Sequence, residues 1–122
     1  MMATILTVDD SPSIRQMIKV VLEPGGHTVV EAGDGAQGLE KAKAAKPDLV
    51  ITDLNMPVMN GLELIRALRK MPSLTGLPIV FLTTESNDAV KQEAKSAGAT
   101  GWITKPFKPD QLLAVVSKLV RS

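Results

Sequence analysis

Apolar residues recur along the chain with two alternating periods. Runs of strand length, rich in Val, Ile, Leu and Thr, are each followed by a segment in which apolar residues recur at helical spacing. The pattern predicts five strand–helix units that account for the whole chain. Because the strand runs are almost continuously apolar, they are typical of parallel strands covered by helices on both faces. The sequence therefore predicts an α/β fold with a doubly wound parallel sheet.

Capping and helix-breaking residues mark the predicted element boundaries. Ser11 offers an N-cap ahead of Pro12 at the first helical position, and Asp34 can cap the second helix. Pro109 starts the last helix, although its expected cap position is Lys108, a poor capping residue. The predicted strands cover residues 4–8, 27–31, 48–53, 78–83 and 100–104.

The fourth predicted helix has little apolar surface to bury. It begins after a cap at Ser86 or Asn87, and its expected inward positions are small or β-branched: Ala89, Val90, Ala94 and Ala97. Burial of apolar surface stabilises a fold by about 25 cal/mol per Å2, so this helix should be held less firmly than the leucine-rich ones. We therefore expect it to be among the more mobile elements of the fold.

Composition restricts the class of protein further. The 122 residues suffice for one domain, and an apolar fraction of 44% is that of a folded globule. The sequence has no cysteine for disulfides or thiolate metal sites, and its net charge of +1 gives little electrostatic support for nucleic-acid binding. The N-terminal apolar run reaches Asp9 too early for a signal peptide or a membrane span. We expect a single cytoplasmic domain, residues 1–122, without an output domain.

Three aspartates fall at the carboxyl ends of predicted strands. Asp9 and Asp10 follow the first strand, and Asp53 ends the third. Ligands of open α/β sheets bind at this edge, so the three carboxylates converge if strands one and three are neighbours. Two like charges ~4 Å apart repel by about 4 kcal/mol at an effective dielectric of 20, so protons or a cation must compensate them. Ligand sets made only of oxygen select a hard ion such as Mg2+.

Two further polar residues, Thr83 and Lys105, end predicted strands four and five at the same edge. A hydroxyl and an ammonium beside a metal-bound carboxylate suit a phosphoryl group, because both can bind its oxygens. A single aspartate at such a position is more often a turn residue or a helix cap, and we interpret Asp34, Asp48 and Asp88 in that way.

The motifs that carry these residues resemble those of response-regulator receiver domains. The matching segments are Val8–Ser11, Asp53–Gly61, Thr83, Ala97–Ala99 and Lys105–Phe107. The resemblance covers essentially the whole chain and is closest to the stand-alone chemotaxis regulators of that family. It implies a flavodoxin-like (βα)5 fold with five parallel strands in the order 2-1-3-4-5.

The resemblance also implies how the acidic residues act. Asp53 corresponds to the phospho-acceptor and to one of the Mg2+ ligands. Asp10 resembles a direct Mg2+ ligand and Asp9 a ligand acting through water. The backbone carbonyl of Asn55 corresponds to the remaining protein ligand. In the family, Asn55 and Glu85 occupy the positions that tune hydrolysis of the acyl phosphate.

The remaining matched positions concern the phosphoryl oxygens and the switch. Thr83 and Lys105 would bind those oxygens, with a cis peptide bond between Lys105 and Pro106. Trp102 stands where the family carries a switch aromatic that is usually Tyr or Phe. The departure to Trp removes the hydroxyl that a partner could read.

The resemblance implies a two-component response regulator that is phosphorylated by a histidine kinase. Its target would bind the face formed by helix four, strand five and helix five, and a flagellar motor switch is the implied target. We expect a monomer that contacts neither nucleic acid nor membrane. Arg15 and Lys19, near the acidic edge, are expected to form a solvated helix face, with contact to a kinase as the alternative.

Other functions would use some of the same residues. A phosphorelay intermediate or a phosphate-sink receiver would need the same acidic site. A phosphatase with an aspartate nucleophile would carry an Asp-x-Asp pair after strand one, whereas Asp9 and Asp10 have no spacer. A flavin-binding module would need a phosphate-binding loop after strand one, where these two aspartates would repel a phosphate.

Overall fold

A computed structural model describes residues 3–56, 58–74, 76–84 and 88–120. The strands are β1 Thr4–Val8, β2 Thr28–Ala32, β3 Leu49–Asp53, β4 Ile79–Thr83 and β5 Gly101–Thr104. The helices are α1 Pro12–Leu22, α2 Gly35–Ala45, α3 Gly61–Arg69, α4 Asp88–Ala97 and α5 Pro109–Leu119. The strands form one sheet in the order β2-β1-β3-β4-β5, and every neighbouring pair is parallel. The predicted fold class and strand order are confirmed.

The sheet separates two apolar cores. Side chains that alternate along a strand point to opposite faces, so Leu6 of β1 packs with α2, α3 and α4, while Ile5 packs with α1 and α5. All residues of the central strands β3 and β4 are buried. These strands are therefore covered on both faces, as their continuous apolar runs predict.

Local capping places the helix starts at the predicted residues. The side chains of Ser11 and Asp34 each accept a hydrogen bond from the backbone N–H three residues later. Lys108 cannot accept such a bond, yet α5 begins at Pro109 as predicted. The Gln111 side chain compensates by accepting a hydrogen bond of 2.9 Å from the Lys108 backbone N–H. The predicted caps of α4, Ser86 and Asn87, lie outside the described residues.

Helix α4 is held by few side chains, as its composition predicts. Ala94 is its buried residue, and Val90 and Ala97 are half-buried against the core. The expectation that Ala89 also faces inward is wrong, because this side chain is exposed. Positions 90, 94 and 97 lie on one helical face, whereas residue 89 lies five positions before Ala94 and points away from it.

The C-terminal end of α4 has an additional attachment. The guanidinium of Arg69, at the end of α3, donates a hydrogen bond of 2.9 Å from Nε to the carbonyl of Gly98. Gly98 has φ 115°, and a Cβ there would lie 2.6 Å from Arg69 Cγ. Glycine is therefore required for this contact, which fastens the end of α4 to α3.

The weak packing of α4 predicts its exchange behaviour. We expect the α4 amides to exchange faster with deuterium than those of α1, because less apolar surface is buried along α4. Arg69→Met should accelerate exchange in α4 further. Arg66→Met is the matched control, since Arg66 is an exposed arginine of the same helix. Equal protection of α4 and α1, or no change in Arg69→Met, would contradict this account.

Candidate functional site

The carboxyl edge of the sheet brings the three predicted aspartates together. In the β1–β3 ladder Val8 pairs with Thr52, so Asp9 and Asp53 follow at the same level. Asp9, Asp10 and Asp53 each place a carboxylate oxygen within 4.8 Å of the other two. Asp9 and Asp53 are buried and Asp10 is exposed. The arrangement is a compact, open-sided group of acidic oxygens.

Asp9 is the most enclosed of these acids, with a side chain that is 1% exposed. One oxygen, Oδ1, accepts a hydrogen bond of 2.9 Å from the backbone N–H of Ser11. The other, Oδ2, accepts no hydrogen bond from the part of the chain that the structure describes, although it forms an ion pair with Lys105 Nζ at 3.5 Å. Burial raises the pKa of Asp9, and Asp53 and Asp10 add to the rise, whereas the Ser11 N–H and Lys105 oppose it.

The Asp53 carboxylate is fixed by two contacts. Oδ1 accepts a hydrogen bond of 2.8 Å from the backbone N–H of Leu54, and Oδ2 lies 3.3 Å from Lys105 Nζ. The following loop returns closely to the strand, because the Gly61 N–H donates a bond of 2.9 Å to the Leu54 carbonyl. A Cβ at Gly61 would lie 2.2 Å from the Asp53 carbonyl oxygen, so only glycine fits there. The Asp53 carboxylate is thus held in one orientation at the carboxyl edge of the sheet.

Lys105 joins the acidic group from the far edge of the sheet. Its backbone N–H donates a bond of 2.9 Å to the Thr83 carbonyl, which aligns the end of β5 with the end of β4. The peptide bond between Lys105 and Pro106 is cis. The side chain is 18% exposed and its ammonium contacts both Asp9 and Asp53. The Lys105 ammonium therefore compensates part of the negative charge of the acidic group.

Thr83 and Trp102 lie on the β4–β5 side of the site. Thr83 is buried at the end of β4, and Trp102 pairs in the ladder with Phe81. The Trp102 and Phe81 rings are tilted by 32° with centroids 6.2 Å apart. Trp102 is 41% exposed, and Lys91 Nζ of α4 lies 4.8 Å from its ring centroid. The indole therefore bridges β5 and α4 at the surface.

Of the two residues predicted to tune hydrolysis, Asn55 and Glu85, the structure describes only Asn55. Asn55 is exposed in the loop two residues after Asp53. Glu85 lies outside the described residues.

The aspartates interpreted as structural have local roles. Asp34 caps α2, and its Oδ1 lies 2.8 Å from the backbone nitrogen of Gln37. Asp48 accepts a hydrogen bond of 2.8 Å from the Thr4 N–H at the opposite end of the sheet. Asp88 is exposed in the first turn of α4, where a negative charge is favoured by the helix dipole.

Arg15 was expected on a solvated face, and that expectation is wrong. Its side chain is 18% exposed, Nη1 donates a hydrogen bond to the Asp9 carbonyl, and Nε lies 3.2 Å from Glu31 Oε1. Lys19, one turn further along α1, is 36% exposed. The available sequence signal was that Arg15 lies in the first turns of the helix that follows the acids, with Glu31 near the end of an adjacent strand.

Within the described ranges, the structure contains no helix with the length and hydrophobicity needed to cross a membrane.

Comparison with known proteins identifies the family. The family model described as response regulator receiver domain matches residues 5–117. Protein PilH of Pseudomonas aeruginosa is 35% identical over 119 residues, which cover 98% of this chain and 98% of PilH. The DNA-binding response regulator MtrA of Mycolicibacterium smegmatis is 39% identical over 117 residues, or 96% of this chain and 50% of MtrA. The chain thus spans about half the length of MtrA.

Solved structures agree with this result. The chemotaxis response regulator CheY4 of Vibrio cholerae superposes with a TM-score of 0.93 at 46% identity, covering 98% of this chain and 100% of CheY4. The family match, the strand order and the acidic group at the carboxyl edge all agree. The chain belongs to the receiver domain family of two-component response regulators and is similar to its CheY-type members.

Proposed function

We propose that this chain is a phosphorylation switch in which Asp53 accepts a phosphoryl group from a histidine kinase in the presence of Mg2+. The supporting observation is that three carboxylates and one ammonium meet at the carboxyl edge of the sheet. Charge of both signs around one fixed carboxylate suits a reaction that depends on positioning and charge neutralisation.

The acidic group fits a hard divalent cation. Its donors are carboxylate oxygens, and the described residues of this site include no histidine or cysteine that would favour a softer ion. Lys105 alone leaves Asp9 with a raised pKa, so further positive charge would stabilise the ionised acids. Asp10, Asp53 and the Asn55 carbonyl would hold Mg2+ directly, and Asp9 would act through water. When bound, Mg2+ would supply positive charge beside the phosphoryl group.

The chain's own residues would perform the transfer as follows. A carboxylate oxygen of Asp53 forms a bond to phosphorus while the bond from phosphorus to the kinase imidazole nitrogen breaks, and the imidazole leaves. The Leu54 N–H keeps the carboxylate in its orientation. The Lys105 ammonium and the Thr83 hydroxyl donate hydrogen bonds to the phosphoryl oxygens and so stabilise the charge that they carry.

Loss of the signal would follow by hydrolysis. Water attacks the phosphorus of the acyl phosphate, releases inorganic phosphate and restores the Asp53 carboxylate. We assign tuning of this step to Asn55 and Glu85, which follow Asp53 and Thr83 at the same spacing.

The output would pass through β4 to the α4–β5–α5 face. Phosphorylation would draw Thr83 toward the phosphoryl group, and Trp102 would move into the space that Thr83 leaves. The weak packing of α4 allows that helix to shift with the indole, because Lys91 of α4 contacts the ring. The similarity to a chemotaxis regulator supports a flagellar motor switch as the partner.

Phosphorylation itself can be tested with a small phosphodonor. Incubation with Mg2+ and acetyl phosphate should add one labile phosphoryl group, detected by intact-protein mass spectrometry. Asp53→Asn should abolish the adduct. Asp34→Asn is the matched control, because asparagine also caps a helix and the residue lies outside the acidic group. An adduct that persists in Asp53→Asn would contradict the assignment of the acceptor.

Because Asp9 is a buried acid, replacing it with a neutral residue should stabilise the folded protein by an amount that depends on pH. In Mg2+-free protein at neutral pH, Asp9→Asn should raise the free energy of unfolding by about 1 kcal/mol, the usual size of a stabilising single substitution, or roughly 4 °C in Tm. The reason is that burial raises the pKa of Asp9 above its ordinary value of 3.8, so its ionised form is less favourable in the folded state than in the unfolded chain. The gain should shrink as pH falls through that raised pKa, because wild-type Asp9 then binds a proton when folded.

Thermal melts of wild type and Asp9→Asn in a chelator, over a range of pH, provide the measurement. Adding Mg2+ should stabilise wild type more than the variant. Glu93→Gln, an exposed change on α4, should give no such pH-dependent difference. A lower Tm for Asp9→Asn than for wild type at neutral pH would refute the claim that the crowded acids destabilise the Mg2+-free fold.

The single tryptophan allows a direct test of the switch. Addition of Mg2+ and beryllofluoride, a phosphoryl mimic, should change the fluorescence of Trp102, because its packing against Phe81 and Lys91 changes. Thr83→Ala should remove most of that change. Thr104→Ala, at an exposed position of β5, should retain it. A full response in Thr83→Ala would show that Trp102 does not depend on Thr83.

A further inference from the structure

The loop between β1 and α1 carries two of the proposed metal ligands on consecutive residues. The carbonyl oxygen of Asp9 belongs to the peptide group that joins Asp9 to Asp10. That carbonyl accepts a hydrogen bond from Arg15 Nη1, so α1 holds the peptide from one side. Because the orientation of a peptide plane sets where the next side chain points, this bond constrains the direction of the Asp10 carboxylate.

Arg15 is itself held in place. Its Nε lies 3.2 Å from Glu31 Oε1, and the two side chains are 18% and 34% exposed. Glu31 is fixed in β2 by pairing with Thr7 of β1, and its carbonyl accepts a hydrogen bond from the Lys41 ammonium. The guanidinium therefore reaches from β2 to the loop between β1 and α1, here called the acidic loop, and has a partner at each end.

Arg15 and Lys105 act on the acids in different ways. Lys105 contacts the carboxylates of Asp9 and Asp53 directly. Arg15 contacts a backbone carbonyl, which is neutral, and the carboxylate that it pairs with belongs to Glu31 outside the acidic group. The contribution of Arg15 is therefore geometric.

We propose that Arg15, braced by Glu31, is a positioning residue that fixes the Asp9–Asp10 peptide so that both carboxylates are preset to receive Mg2+. The inference rests on the proposed function, since it concerns the same metal site. Outer residues that orient metal ligands commonly contribute about 10- to 100-fold to metal affinity. A site that is already in place loses less conformational freedom when the ion binds.

The sign of the effect separates positioning from electrostatics. Removal of a positive charge near an acidic site should strengthen the binding of a cation, because it removes a repulsion. Removal of a positioning contact should weaken it. Arg15→Met is therefore expected to weaken Mg2+ binding by about tenfold, the lower end of the usual range for such residues.

Lys19→Met is the matched control for this test. Lys19 lies on the same helix, carries the same charge and pairs with the same Glu31 carboxylate at 3.7 Å. Its described ion pair is to Glu31 and not to the acidic loop, so its loss should leave Mg2+ affinity unchanged or slightly increased. Glu31→Gln removes the charge that orients Arg15 and should weaken Mg2+ binding by a smaller factor than Arg15→Met.

Titration calorimetry with Mg2+ on wild type and these three variants gives the dissociation constants. Two further measurements report positioning. The amide of Ser11, which donates to Asp9, should exchange faster in Mg2+-free Arg15→Met than in wild type. Phosphorylation by acetyl phosphate should need more Mg2+ to reach its half-maximal rate in Arg15→Met than in wild type, because the variant binds the ion less tightly.

The outcomes distinguish this inference from the proposed function. Wild type that binds no Mg2+ would overturn both. Wild type that binds Mg2+, with Arg15→Met binding equally or more tightly in step with Lys19→Met, would overturn the positioning role alone. Circular dichroism reports whether each variant is folded. If Arg15→Met does not fold, Glu31→Gln decides, and a dissociation constant equal to that of wild type would overturn the inference.

Discussion

The concentration of negative charge at one end of an apolar sheet is the constraint on which this structure depends. Asp9 and Asp53 are buried next to each other, with Asp10 at the rim. Burial alone raises the cost of ionising Asp9, and its neighbours add to that cost. The Lys105 ammonium compensates part of it. The remaining negative charge is what makes this edge suited to a divalent cation.

Most of the fold could be predicted from the sequence because local and global signals agree. Continuous apolar strands alternate with helices whose caps, such as Ser11 and Asp34, are read directly from residue type. Strand order could not be derived from periodicity and came from the resemblance to receiver domains. The wrong placement of Ala89 has a simple cause: in a helix with so few apolar residues, the inward face is poorly determined by composition.

The acidic site was predictable to the extent that it depends on strand ends. Asp9, Asp53 and Lys105 meet because parallel strands end at one edge, which is a property of topology. Arg15 and Glu31 were missed, because their contact joins a helix face to a strand that is distant in sequence. A charged residue on a helix is usually solvated, so residue type alone did not indicate that this one reaches back to a backbone carbonyl.

The strand order also decides how far a chemical event must be transmitted. Asp53 ends β3 and Trp102 lies on the edge strand β5, so one strand, β4, separates the Asp53 carboxylate from the indole. The opposite edge strand, β2, is separated from β3 in the same way, by β1. Asp53 therefore ends the central strand of the sheet, and a displacement that begins there has a single intervening strand to cross toward either flank.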